Sequence, residues 1–263
     1  MLSLQYRWSC QKQKDKINYL RSILSDELSI KVLDAAIHSR KTRNYKRLKN
    51  LYDNNFEECT TYLSGETISY DSIQYFAKDI IKLSPDEVFI DGGGNVGDTT
   101  LNFIKQTQGV FKKVHIFEPV RDTYEKVLQN MNMANNHKDK VIIHNTGLFS
   151  SEKEIFFNQN ESGSRADRRG KILAKLVALD RYLSDDELEE ITYIKLDIEG
   201  VELEALKGMR ETIIKYKPKL AICIYHKPKD LWEIPLFIKN INPSYKLYIR
   251  QHYYKNETVC YAI

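Results

Sequence analysis

Residues 88–100 read VFIDGGGNVGDTT. A short apolar run ending in Asp91, a glycine-rich stretch and the amphipathic text TTLNFIKQ make a strand, a tight turn and a helix, the unit that opens an α/β sheet. Two spacings overlap inside the turn. Counted from Gly92 it reads Gly92-x-Gly94-x-x-Gly97, the fingerprint of a dinucleotide loop; counted from Asp91 it reads Asp91-x-Gly93-x-Asn95-x-Gly97, an acidic start to a nucleoside-binding loop. In a dinucleotide loop the first glycine closes the turn so that a helix N-terminus faces a pyrophosphate. Here an aspartate ends the strand just before that glycine. A fixed negative charge at that place disfavours an anion and favours a cation.

Downstream of Glu87 short apolar strands alternate with amphipathic helices, the pattern of a mostly parallel sheet covered on both faces. The strands are VFID, KVHIF, KVIIHN, TYIKLD, LAICIYH, YKLYIRQH and TVCYAI, so seven are expected. Too few residues separate the last two for a crossover helix, and that pair is expected to be antiparallel. Between the third and fourth strands lies a long polar stretch, roughly Thr146 to Arg169, with a hairpin expected at EIFFN and the basic loop ESGSRADRRGK. Its part from about Asn158 to Lys171 is expected to be mobile and to govern acceptor binding. Upstream of Leu83 the text is helical: INYLRSIL, then SDELSIKVLDAAIHSR capped by Ser25 or Asp26, then DSIQYFAKDIIKL. The chain of 263 residues thus divides into a helical cap, residues 1–83, and one large α/β domain, residues 84–263.

The 40 Lys+Arg and 36 Asp+Glu give a formal charge of +4, too mild to imply nucleic acid by itself. The basic run Arg40, Lys41, Arg43, Lys46, Arg47 and Lys49 reads as a solvated helix face. Cys10, Cys59, Cys223 and Cys260 lie far apart without a Cys-x-x-Cys pair, which excludes a zinc ribbon or disulfide scaffold and fits a reducing cytoplasm. The N-terminal MLSLQYRWSCQKQKDK lacks the apolar core of a signal peptide, and no run of ~18 apolar residues offers a membrane span. A cytoplasmic protein is expected, with the N-terminal helices as the candidate surface for a homo-oligomer.

A nucleoside ligand that is cationic and carries no phosphate is S-adenosyl-L-methionine, with its ammonium and sulfonium groups. Glu118, 21 residues beyond Gly97 at the end of KVHIFEP, can accept both hydroxyls of a ribose, in NAD as in S-adenosylmethionine. Asp91 is the residue that discriminates between them. The cofactor set so read is Asp91, Gly92, Gly93, Asn95, Gly97, Glu118, Pro119 and Asn145. The segments VFIDGGGNVGDTT, HIFEP, VALDRYL, TYIKLDIEGVELEALKGM, IYHKPKDLWEIP, YIRQH and TVCYAI together resemble the FkbM family of S-adenosylmethionine-dependent methyltransferases. The resemblance runs from about Tyr75 to the C-terminus, and KLDIEGVELEALKG is its most specific part. It implies the seven-stranded Rossmann-like sheet of class I methyltransferases and methyl transfer to a hydroxyl of a sugar or polyketide.

Ligands of open α/β sheets lie beyond the carboxyl ends of the strands. Asp197, Glu199, His226 and His252 come from three strands expected to converge on one rim there, and they form the candidate catalytic set. Methyl transfer to an alcohol is an in-line displacement at a carbon already activated by sulfonium, so the protein must align the two and remove the hydroxyl proton. Asp197 or His226 is the candidate base, with Glu199 orienting its partner or the acceptor. The same four residues could instead hold a divalent cation that lowers the acceptor's pKa, although no metal is counted among the expected cofactors. Each histidine taken alone also reads as a strand-end residue satisfied by backbone. Asn242-Pro243-Ser244-Tyr245 is similar to the Asn-Pro-Pro-Tyr loop of amino-group methyltransferases but follows the fifth strand's helix instead of the fourth strand, and it reads as a turn. Arg165-Ala166-Asp167-Arg168-Arg169 reads as a solvated loop before a phosphate site. Two rival functions remain: an NAD-linked oxidoreductase using the Gly92 spacing, and a nucleic-acid-modifying methyltransferase using the basic helix and loop.

Overall fold

The computed structural model describes residues 14–53, 57–63, 66–133, 137, 139–160, 163–166 and 172–263. Helices α1 (Lys14–Ile23), α2 (Glu27–Thr42) and α3 (Lys46–Asp53) lead to strands β1 (Glu58–Leu63) and β2 (Glu66–Asp71). The main sheet begins with β3 (Val88–Gly92), α4 (Asp98–Gln106), β4 (Lys113–Phe117), α5 (Arg121–Met133) and β5 (Val141–His144). Strands β6 (Gly147–Leu148), β7 (Lys153–Asn160), β8 (Gly163–Ala166) and β9 (Ile172–Val177) form a separate four-stranded sheet, followed by α6 (Leu179–Tyr182) and α7 (Asp185–Glu190). The chain then runs through β10 (Tyr193–Leu196), α8 (Glu202–Gly208), α9 (Arg210–Tyr216), β11 (Lys219–Cys223), α10 (Asp230–Ile241), β12 (Leu247–Gln251) and β13 (Thr258–Ala262).

All seven expected strands lie in one sheet, ordered β12-β13-β11-β10-β3-β4-β5. Strand β3 pairs in parallel with β4 on one side and β10 on the other, while β13 runs antiparallel between β11 and β12. Only residues 252–257 connect β12 to β13, too short a link for a crossover helix. Strand order reverses between β3 and β10, which opens a crevice at their carboxyl ends. Strand β3 is buried along its whole length, as a parallel strand covered on both faces must be. One face packs Phe89, Tyr193 and Phe76 around Phe103 of α4, with the Phe89 and Phe103 rings stacked at 4.7 Å. The other face joins Val88, Ile90 and Leu196 to Trp232 and Ile238 of α10.

The N-terminal helices belong to that second core. Leu20, Val32 and Leu33 are fully buried in the same cluster as Trp232 and Leu247. Asp26 caps α2 by accepting from the Ser29 amide, and its carboxylate also binds Arg250 of β12, 2.6 Å away. No helix among the described residues is long and apolar enough to cross a membrane.

Two expectations are corrected. Residues 58–71, read as part of a helical N-terminal region, form the β1–β2 hairpin with Glu58 opposite Asp71. The stretch DSIQYFAKDIIKL is turns and extended chain instead of a helix. Tyr75, Phe76, Ala77, Ile80 and Ile81 are buried, but the carbonyls of the stretch go to tertiary donors: Ser72 O accepts from Asn102 and Gln106, Gln74 O from Tyr261 and Tyr75 O from Tyr193. A helix would need those carbonyls for its own amides. The segment GVELEALKGMRETIIKYK forms two helices, broken at Met209. Gly208 abuts the Phe149 carbonyl so closely that a Cβ would sit 1.9 Å from it. The expected EIFFN hairpin is present as β7 paired with β8, Phe157 opposite Ala166. Residues 161–162 and 167–171, on which part of the acceptor-loop expectation falls, lie outside those described.

Candidate active site

The glycine turn leaves β3 at the switch point and is held from beneath by a buried ion pair. Asp91 and Lys195 are direct neighbours in the β3–β10 register. Lys195 Nζ lies 2.9 Å from Asp91 Oδ1 and donates at 2.9 Å to the Gly93 carbonyl, while Thr100 donates to Asp91 Oδ2 at 2.7 Å. The side chains are 2% and 0% exposed. Burial works against the Lys195 charge, but Asp91 and Asp197 outweigh it and raise its pKa. The expectation of an uncompensated charge at Asp91 is therefore corrected: Lys195 neutralises it, and the pair anchors the turn through Gly93 O.

The turn itself needs glycine. Gly93 has φ +86°, and a Cβ there would lie 1.9 Å from the Asp197 carbonyl oxygen. Gly97, at φ +87°, is the N-cap of α4. Asn95 takes the left-handed region at φ 46° and donates its amide to Glu118 Oε2 at 3.1 Å. Glu118 Oε1 accepts the Val120 amide at 2.9 Å. Burial pushes the Glu118 carboxyl up to about 7, against the two amide bonds that favour its charge. Asn145 fastens this corner by donating to the carbonyls of Glu118 and Pro119. Gly92, the last residue of β3, faces Leu196. The eight residues of the expected cofactor set are thus gathered around one turn.

Beside the turn a cleft of about 180 Å³ opens between Gly93, Asn95, Asp98, Lys195, Asp197 and Glu257. Its floor is rich in carboxylates. Burial raises the Asp98 pKa, and burial together with the Asp197 charge pushes Glu257 up to about 8. Asp197 is the hub: Tyr75 donates to its Oδ2 at 2.8 Å and Tyr225 to its Oδ1 at 3.2 Å. His226 Nε2 stands 3.4 Å from Asp197 Oδ1 and 3.7 Å from Glu199 Oε2. His226 Nδ1 is 3.0 Å from Glu202 Oε1, an ionic contact whose angles fall short of a hydrogen bond. Burial lowers the His226 pKa, but Glu202 first and then Asp197 and Glu199 reverse that and push it up to about 9. Glu199 and Gly200, at φ 58° and 93°, make the left-handed turn that presents this cluster.

Asp197, Glu199 and His226 are brought together as expected. His252 is not: its ring is buried between Asp71 Oδ2 and the Tyr261 hydroxyl, each 2.7 Å from one ring nitrogen. Because β13 is inserted between β11 and β12, the end of β12 is displaced from the end of β11. Sequence reading missed Tyr75, Tyr225, Lys195 and Glu257. Lys195 had a signal, a lysine inside an otherwise apolar parallel strand. Glu257 had none, since it sits at φ 62° in a turn between strands. Of the basic run, Arg40 is not merely solvated; it donates to the Tyr225 carbonyl and so reaches the site from α2.

The family model of the FkbM methyltransferase domain matches residues 91–252, from the turn's aspartate to the end of β12. Hexuronic acid methyltransferase AglP of Haloferax volcanii is 30% identical over 145 residues, covering 52% of this chain and 57% of that protein. The crystal structure of methyltransferase FkbM from Methylobacillus flagellatus KT matches with a TM-score of 0.77 at 25% identity, covering 97% of this chain and 60% of that one. The chain thus spans about three fifths of the length of each. With its sheet order, its glycine turn and more than half its length accounted for, the chain belongs to the FkbM methyltransferase domain family.

Proposed function

We propose that the chain is an S-adenosylmethionine-dependent O-methyltransferase acting on a hydroxyl of a sugar or glycan. The observation that carries this reading is the carboxylate-lined cleft directly beside the Gly93–Gly97 turn, with Asp98, Asp197 and Glu257 facing it. Asp197 attracts an ammonium or a sulfonium and repels a pyrophosphate, and Asp98 and Glu257, raised by burial, add to this as a cation beside them favours their ionised forms. The lining therefore favours S-adenosylmethionine over NAD without help from Asp91. The residues fit the cofactor: Gly93 lets the turn pack against the Asp197 carbonyl at the rim of the cleft, and Glu118 keeps lone pairs on both oxygens for ribose hydroxyls. That cofactor supplies an electrophilic methyl group, whose bond to sulfur breaks with its electron pair left on sulfur as the acceptor oxygen bonds to carbon. Asp197, Glu199 and His226 gather where the acceptor hydroxyl must be held and lose its proton, and alignment is the larger part of the task. A sugar is the preferred acceptor class because the Haloferax relative is a hexuronic acid methyltransferase.

Calorimetry with S-adenosylhomocysteine and with NAD tests the cofactor, and transfer of a labelled methyl group to a panel of neutral and uronic sugars tests the acceptor. Binding of NAD without binding of S-adenosylhomocysteine would overturn the proposal.

A further inference from the structure

We propose that Asp197, Glu199 and His226 form a divalent-cation site, with Glu202 orienting the histidine from behind. The inference rests on the proposed methyl transfer only for what the ion does, not for whether it binds. Oxygens of Asp197 and Glu202 and a ring nitrogen of His226 all lie within 4.8 Å of one another. An acidic cluster alone would not make a site. The second observation is that two of its buried members carry polar atoms without hydrogen bonds. The His226 side chain is 4% exposed, yet Nε2, on the side of Asp197 and Glu199, makes no hydrogen bond, and Glu202 Oε2 at 0% exposure makes none either. Buried polar atoms without partners are rare, and a missing ion is one of the few physical reasons for them.

The spacing suits an ion. Nitrogen and oxygen donors about 2.1 Å from one cation, at angles of roughly 90–110° to each other, stand about 3.0–3.4 Å apart. His226 Nε2 is 3.4 Å from Asp197 Oδ1, inside that range, and 3.7 Å from Glu199 Oε2, which must move closer to share the ion. The other nitrogen faces Glu202, and a metal-bound histidine almost always gives its second ring N–H to such a carboxylate. Glu202 is itself fixed, since its Oε1 accepts the amides of Ile198 and Gly200. Tyr75 holds Asp197 Oδ2, while Oδ1 accepts from Tyr225 and keeps a second lone pair on the side of the histidine. Asp197 and Glu199 are 23% and 28% exposed, so the remaining coordination positions open toward solvent and the cleft. An acceptor hydroxyl entering one of them would have its pKa lowered, its proton passing to water before its oxygen attacks the methyl carbon. One imidazole with two carboxylates suits Mn²⁺ or Zn²⁺.

The test uses the full chain after chelation and dialysis, titrated with Mn²⁺ and followed by electron paramagnetic resonance and calorimetry. One saturable site per chain is expected, together with a rise in melting temperature. His226→Gln and Asp197→Asn should weaken binding at least tenfold, Glu202→Gln by about 10–100-fold. His38→Ala, a histidine on α2 remote in sequence from the cluster, should leave it unchanged. Circular dichroism establishes which variants are folded, and the two readouts are compared only in those. Absence of a saturable site, or Mn²⁺ affinity unchanged in a folded His226→Gln protein, would overturn the proposal and leave a structural His226–Glu202 ion pair. S-adenosylhomocysteine binding is measured in the same samples: its persistence without a Mn²⁺ site refutes the ion alone, and its absence refutes the methyltransferase reading alone.

Discussion

The buried Lys195–Asp91 pair should make Lys195→Met one of the most damaging single changes outside the apolar core. Methionine keeps the stem volume but leaves Asp91 charged at 0% exposure, with the Thr100 hydroxyl as its remaining side-chain donor. Breaking a buried pair from one side costs about 3–5 kcal/mol, because the surviving charge is desolvated without compensation. The Gly93 carbonyl also loses its donor, which adds about 1 kcal/mol. At roughly 2–4 °C per kcal/mol for a chain of this size, the melting temperature should fall by roughly 10 °C or more. Thermal and urea unfolding measure this directly. Adding Asp91→Asn removes the stranded charge, so the double variant should recover at least ~1.5 kcal/mol relative to additivity. The folded pKa of Lys195 is raised, so its stabilisation is complete below the unfolded lysine value of ~10.4 and is lost only as pH rises beyond it. The gap between wild type and variant should accordingly stay flat from pH 8 to 9. A loss below about 1 kcal/mol, or a double variant no better than additive, would refute the argument that Asp91 is a neutralised anchor.

Three further outcomes are expected. Glu118→Gln should weaken S-adenosylhomocysteine binding by ~1–3 kcal/mol in calorimetry, the scale of bonds to a charged group. With the free carboxyl at about 7, wild-type affinity should tighten by up to about tenfold as pH rises from 6 to 8, and the variant should lose that dependence. The same raised pKa means that Glu118 favours the fold below ~4.3 and that this contribution is lost as pH rises through about 7, so the free protein should gain stability at neutral pH in Glu118→Gln. Gly93→Ala places a Cβ 1.9 Å from the Asp197 carbonyl oxygen and strains a φ of +86°, so it should abolish cofactor binding at tenfold excess over the wild-type Kd; normal affinity would show that the turn relaxes. His252→Gln should cost ~1–3 kcal/mol of stability by releasing Asp71 and Tyr261, with kcat of the folded enzyme within a few-fold of wild type; a hundredfold fall in kcat would give His252 the catalytic part that its buried position argues against.

The main sheet was legible because its strands are apolar runs bounded by punctuation, and because a six-residue link fixes the sense of the last pair. What escaped was structure stabilised from a distance. DSIQYFAKDIIKL has helical spacing, yet Asn102, Gln106, Tyr193 and Tyr261 supply donors to its carbonyls from α4, β10 and β13, and no local pattern announces them. The small sheet of β6 to β9 escaped for a related reason. Its outermost pairing joins residues 29 apart, Gly147 with Leu176, and the polar outer positions of its strands imitate a loop.

The site divides along the same line, and Asp91 shows why. Residue type and strand-end position sufficed to collect Asp197, Glu199 and His226, because each end of a parallel strand in such a sheet opens on one crevice. Charge could not be assigned in the same way, since the field at Asp91 depends on its neighbour across the ladder. Once VFIDG and YIKL are known to be adjacent and parallel, with Phe89 opposite Tyr193, Lys195 must fall opposite Asp91 on the same face. The selectivity argument then moves from the strand end to the cleft. A negative charge that is paired within 2.9 Å discriminates little between an ammonium and a phosphate, whereas Asp98, Asp197 and Glu257 line the cleft proposed for the ligand. Above pH 8, where Glu257 is ionised, Glu257→Gln should therefore narrow the preference for S-adenosylhomocysteine over NAD more than Asp91→Asn does in protein that remains folded. The opposite order, measured by competition calorimetry, would return the discrimination to Asp91.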